Sequence, residues 1–101
     1  MKKPKPKRPP EILRAAAATY AERNKVYKDN IFRVGKALHA MFPDGLVVKT
    51  QSDWHRIHLL TMMTVKMSRY AVNFTKGGHK DSIHDAIVYG AILEWIGEFD
   101  Q

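Results

Sequence analysis

The chain has 101 residues, no cysteine, 45% hydrophobic residues and a formal charge of +7. That length suits one compact domain and not two, and the lack of cysteine excludes disulfides and thiolate metal sites. No apolar run reaches the roughly 18 residues of a membrane span, and no apolar stretch of signal-peptide type follows the basic start. A cytoplasmic location is the expectation.

The charge is concentrated at the beginning. Lys2, Lys3, Lys5, Lys7 and Arg8 all precede Glu11 and leave only +2 for the remainder. Prolines 4, 6 and 9 deny this stretch regular backbone hydrogen bonds and favour extended conformations. Residues 1–9 therefore read as a disordered basic tail, and residues 10–101 as a single helical domain. The five tail cations suit contact with nucleic-acid phosphates; equally, such a tail is a solubilising leader.

Pro10 suits the first turn of a helix, where its missing N–H has no intrahelical partner to lose. Ile12, Leu13, Ala16, Ala17 and Tyr20 then recur at helical spacing, which predicts a first helix over about 10–25. Tyr27-Lys28-Asp29-Asn30 reads as a break, with Asp29 as N-cap of a second helix. That helix carries Ile31, Val34, Leu38 and Met41 on one stripe and ends before Pro43. Pro43-Asp44-Gly45 signals a turn, and Leu46-Val47-Val48 a hydrophobic loop lying on the core.

Ser52 is the expected N-cap of the third helix, with Asp53 favourable in the first turn. Ile57, Leu60, Thr64, Met67, Ala71 and Phe74 recur in steps of three and four, the pattern of a helix-packing seam. Lys76-Gly77-Gly78 ends the helix through left-handed glycine. Asp81 is the expected cap of a fourth helix with a stripe of Ile83, Ile87, Ala91 and Trp95. Gly90 within it costs about 1 kcal/mol relative to alanine, which points to the close approach of a neighbouring helix. The predicted fold is all-α: a four-helix bundle-like domain with a C-terminal antiparallel helical hairpin.

The chemistry-bearing residues lie beside the seam. Lys66, Arg69 and Asn73 share one face of the third helix; Ser82, Asp85 and Tyr89 share one face of the fourth, with Asp81 at its start. Closing the hairpin at the glycine pair is expected to bring Asn73 near Ser82, Arg69 near Asp85 and Lys66 near Tyr89. Such a strip has two readings. Arg69 and Asp85 form a structural ion pair that fixes register, or Lys66 and Arg69 bind phosphate while the aspartates orient them. His55 and His58 are spaced to share a metal, but nothing beyond Asp53 completes a ligand set, so no metal site is expected.

From Leu59 to Arg69, and again from His79 to Gly90, the chain resembles a group of small phage-encoded domains of unknown function. Their pattern is a Lys-x-x-Arg helix, a short gap and Asp-Ser-x-x-Asp-x-x-x-Tyr. A Tyr-Gly-Asp-like break is typical upstream, and Tyr27-Lys28-Asp29 matches it with lysine in place of glycine. The resemblance spans about residues 12–95. That group is distantly similar to the MazG-like all-α nucleoside triphosphate pyrophosphohydrolases, which bind magnesium through glutamate-rich motifs on two facing helices. Here Lys66 and Arg69 stand where that cluster belongs, and two cations beside two carboxylates make a poor magnesium cage.

The resemblance therefore implies nucleotide-related binding more than hydrolysis, and the leading expectation is a phage-type protein of the host-cell cytoplasm that binds a phosphorylated nucleotide or nucleotide signal as a homo-oligomer, with sequestration as one version. Its ligand residues are expected to be Lys66, Arg69, Asn73, Asp81, Ser82, Asp85 and Tyr89. Two alternatives stand beside it: a MazG-like phosphohydrolase using Mg2+ on Asp81 and Asp85, and a nucleic-acid-binding accessory protein using the tail.

Overall fold

The computed structural model describes residues 5–99. These form four α-helices in the order α1 (Pro9–Tyr27), α2 (Asn30–Met41), α3 (Gln51–Val72) and α4 (Lys80–Phe99), with a single 3-10 turn at Phe74–Lys76. No strand occurs among the described residues, and no helix of theirs is long and apolar enough to cross a membrane. Lys2 and Lys3 of the expected tail lie outside the described residues; Lys5, Lys7 and Arg8 are exposed and non-helical.

The longest interface is between α3 and α4, which fold back on each other as an antiparallel C-terminal hairpin. Thr50, not Ser52, caps α3. Its hydroxyl accepts from the Asp53 amide at 3.0 Å, and the Asp53 carboxylate accepts from the Thr50 amide at 3.1 Å. This reciprocal capping box satisfies two amides that the first turn otherwise leaves open. At the other end α3 stops at Val72, and Gly77 and Gly78 take φ of 92° and 79°. Gly78 also lies against the Tyr70 ring, leaving no room for a Cβ. Asp81 falls inside the first turn of α4 and not at its cap; the His79 carbonyl begins that helix by accepting from the Ile83 amide.

The predicted seam of α3 holds as far as Thr64, which is buried, and fails beyond it. Met63, Lys66 and Tyr70 meet α4 and the loop before it, opposite Gly90, Asp85 and Gly78 respectively. Val65 and Ser68 meet α2 through Asn30. Met67 and Phe74 are exposed. A helix apolar on more than one side offers several three-and-four stripes, and only its neighbours choose among them. Gly90 does face a close neighbour: a Cβ there would stand 3.2 Å from the terminal methyl of Met63.

The core is small, with Val34, Leu59 and Ala86 the buried hydrophobic residues among those described. On α2, Val34 is buried whereas Ile31 and Met41 of the same predicted stripe face outward. On α4, the stripe of Ile83, Ile87, Ala91 and Trp95 is exposed; Ser82 and Ala86 form the packed side. Every residue from Pro9 to Arg23 of α1 is exposed, so that helix is anchored only near its C-terminal end.

Candidate functional site

The expected strip separates into two places, because α3 presents Lys66 and Arg69 to different neighbours. Lys66 Nζ pairs with Asp85 Oδ2 at 3.2 Å. The partner of Asp85 is thus Lys66 and not Arg69, a shift of one helical turn. Its cause is the end of α3: the chain leaves the helix at Val72 and spends the residues before Lys80 in a 3-10 turn and the glycine bend. Ser82 is almost fully buried and hydrogen-bonds His79 Nδ1. Asp81 is exposed and Tyr89 half-buried. Asn73 is turned the other way; its side-chain amide donates to the Arg69 carbonyl at 2.8 Å and to the Val26 carbonyl of α1 at 3.1 Å.

Arg69 belongs to the junction of α1, α2 and α3. Its guanidinium carbon lies 3.8 Å from the centroid of the Tyr27 ring. Its Nε is buried and makes no hydrogen bond among the described residues. Two contiguous hollows open beside it, of about 280 and 690 Å3, and both are lined by Tyr20, Asn24, Tyr27 and Arg69. The smaller also takes in Asp29 and Asn30.

The break between α1 and α2 is built to shape this junction. Lys28 and Asp29 both adopt left-handed backbone, with φ of 48° and 57°. Aspartate tolerates that region and lysine does so at a cost. Asp29 is held by three contacts. Its Oδ1 accepts from Tyr20 Oη and from Asn24 Nδ2, each at 3.1 Å, and its amide donates to Asn24 Oδ1 at 2.8 Å. By accepting that bond, and then through its charge, the Asp29 carboxylate raises the Tyr20 phenol above its ordinary range. Arg33 Nη1 donates to the Lys28 carbonyl. Beneath them Asn30 is buried; its Nδ2 donates to the Val65 carbonyl at 3.2 Å, and its Oδ1 accepts from Ser68.

No known protein family, curated protein or solved structure matches this chain. The site is therefore defined by its own chemistry. Arg69 is a planar cation lining both hollows, a group that suits phosphate or carboxylate oxygens. Tyr20 and Tyr27 supply ring surface, Asn24 an amide and Asp29 an acceptor. Among the described residues no three histidine, aspartate or glutamate side chains gather as a metal site, and Lys66 already occupies Asp85. Asp81 and Asp85 therefore do not fit a magnesium cage.

Of the expected ligand residues, only Arg69 lines these two hollows. Tyr20, Asn24, Tyr27 and Asn30 were not among the candidates. Tyr27 and Arg69 stand far apart in sequence, so no local spacing links them. The local signal that was available is Asp29, an acidic residue at a helix break with Asn24 and Tyr20 upstream on the preceding helix.

Proposed function

We propose that this is a phage-type helical protein that binds a phosphorylated nucleotide or nucleotide-derived signal, and that it acts by holding that ligand. The observation that carries this reading is Arg69, a cation backed by the Tyr27 ring, on the shared wall of two hollows. A pocket of a few hundred Å3 with convergent polar groups is the usual setting for a small ligand. Arg69 contacts phosphate oxygens, Asn24 adds hydrogen bonds, and the exposed Tyr20 ring receives a base. Lys66 and Asp85 hold the α3–α4 register, and Ser82, Asn73 and Tyr89 support the helices around it.

Calorimetric titration with nucleoside mono-, di- and triphosphates and cyclic dinucleotides, with and without magnesium, tests this reading. Saturable binding that Arg69→Ala abolishes and Lys66→Ala leaves within about twofold is the expected result. Binding that depends on Lys66 and ignores Arg69 would return the site to the α3–α4 groove. Phosphate release that needs magnesium and Asp85 would favour the MazG-like phosphohydrolase reading. Salt-sensitive DNA binding lost on removal of residues 1–8 would favour the nucleic-acid reading.

A further inference from the structure

Two apolar helical stripes legible in the sequence both face solvent in the isolated chain. One is on α1, where Leu13 is 69% exposed; the other is on α4, where Ile87 is 65% and Trp95 61% exposed. The chain is correspondingly extended. Its radius of gyration is 17.7 Å and its longest dimension 54 Å, against about 13 Å for the radius of a compact 100-residue domain. It exposes 8480 Å2 for a mass of 11.6 kDa, where a compact monomer of that mass exposes about 5,800 Å2. Part of the surplus belongs to residues 5–8, which are exposed and non-helical, and the uncovered helix faces carry much of the rest. A standard interface hides about 800 Å2 on each partner, roughly a third of this surplus, so the uncovered surface is ample for a stable dimer.

The two faces also match in charge and length. Helix α1 carries three lysines and arginines against two glutamates, with Lys5, Lys7 and Arg8 just before it, whereas α4 carries one lysine against four aspartates and glutamates. Helix α1 has 19 residues and α4 has 20, each about 30 Å long. The run Ala15 to Ala18 gives α1 a shallow surface on which bulky rings such as Trp95 and Phe99, packed edge-to-face at 5.3 Å, can lie.

We infer that this chain forms a reciprocal dimer in which α1 of each copy packs along α4 of the other. A second copy is the occupant that supplies both an apolar helix led by a basic segment and an acidic apolar helix in equal number. Exchange in both directions covers both faces of both chains and closes the assembly. The arrangement also gives α1 the packing it lacks, since a helix held at one end draws most of its stability from a covered apolar face. The α1 positions its test alters, Leu13 and Ala17, do not line the hollows beside Arg69, so its outcome is separate from that of ligand binding there.

Sedimentation equilibrium on the full chain at tens of micromolar tests it, with two variants at exposed positions. The wild type is expected at twice the chain mass, and Leu13→Asp/Ala17→Asp on α1 and Ile87→Asp/Trp95→Asp on α4 each at the chain mass. Mixing the two variants is expected to restore a dimer, because one intact α1–α4 contact survives in the mixed pair alone. A monomeric wild type, or a dimer that either variant leaves intact, overturns the inference; so do two monomers that stay apart on mixing. Should circular dichroism show either variant unfolded, the natural absence of cysteine allows a second measurement. A short bis-maleimide should join Ala17→Cys chains to Ala91→Cys chains in the mixed sample, and failure to form that cross-linked pair is equally decisive against it.

Discussion

The guanidinium of Arg69 stacks on the ring of Tyr27, 42 residues earlier in the chain, with 3.8 Å between the guanidinium carbon and the ring centroid. This contact ties the end of α1 to α3, and it does so with a group whose Nε stays open. Such a stack is worth about 0.5–2 kcal/mol, more when water is excluded. A double-mutant cycle between Arg69→Ala and Tyr27→Leu is expected to return a coupling of about 1 kcal/mol in urea unfolding. Tyr27→Phe should retain most of it, because the ring face and not the hydroxyl makes the contact. Additive single effects would show that the stack does not hold the junction.

A second prediction concerns Asn30. Its side chain is buried between α2 and α3, giving a bond to the Val65 carbonyl and accepting one from Ser68. Asn30→Ala removes both and leaves a small void, with an expected loss of about 1–3 kcal/mol. Asn30→Asp should be worse, because it sets a carboxylate oxygen against the Val65 carbonyl. Thermal melts of the two variants check the order; an unchanged melting temperature for the aspartate variant would exclude a buried, donating amide.

These two residues also mark what the sequence could disclose. Helix positions were legible, because periodic apolar residues and the signals at Pro10, Asp29, Pro43 and Gly77-Gly78 mark where helices start and stop. The hairpin was legible for the same reason. Which face of each helix packs was not. The stripe of Ile83, Ile87, Ala91 and Trp95 has the spacing of a core seam and is exposed, whereas Ser82 and Ala86, small and unremarkable in sequence, are the packed side. Spacing reports periodicity, not the direction of the neighbour. The candidate site suffered likewise. Lys66 and Arg69 share a face by their three-residue step, yet Lys66 reaches Asp85 and Arg69 reaches Tyr27. Long side chains can diverge from adjacent Cα atoms to different helices.

Lys28 offers a prediction of opposite sign. It ends α1 in left-handed backbone at φ 48° while its amide donates to the Asn24 carbonyl at 2.9 Å, the position glycine usually takes after a helix. A side chain there costs about 1–2 kcal/mol, partly offset by the extra freedom glycine has when unfolded. Lys28→Gly is therefore expected to raise stability by about 1 kcal/mol and the melting temperature by a few degrees. Asp29→Gly should instead lower it, although Asp29 is equally left-handed, because its carboxylate holds Tyr20 and Asn24. Two glycine substitutions side by side with opposite effects would separate backbone strain from side-chain anchoring.

The last prediction follows from the cap of α3. The Thr50 and Lys49 amides donate to the Asp53 carboxylate, and Arg56 pairs with it at 2.6 Å, so its pKa is lowered from 3.8 to about 2. A carboxylate whose folded value lies below its unfolded value binds protons more readily when unfolded. Its contribution is thus complete above the unfolded pKa of 3.8 and is lost as the pH falls through the folded value near 2. Acid should loosen the start of α3 in that window, seen as faster amide exchange at residues 51–54 before the rest of the helix responds. Asp53→Asn keeps an acceptor for the Thr50 amide but removes the charge. It should exchange faster at neutral pH and lose most of the pH dependence between pH 4 and 2. If wild type and variant show the same acid profile, the cap draws nothing from the ionised carboxylate, and the hydroxyl of Thr50 alone starts the helix.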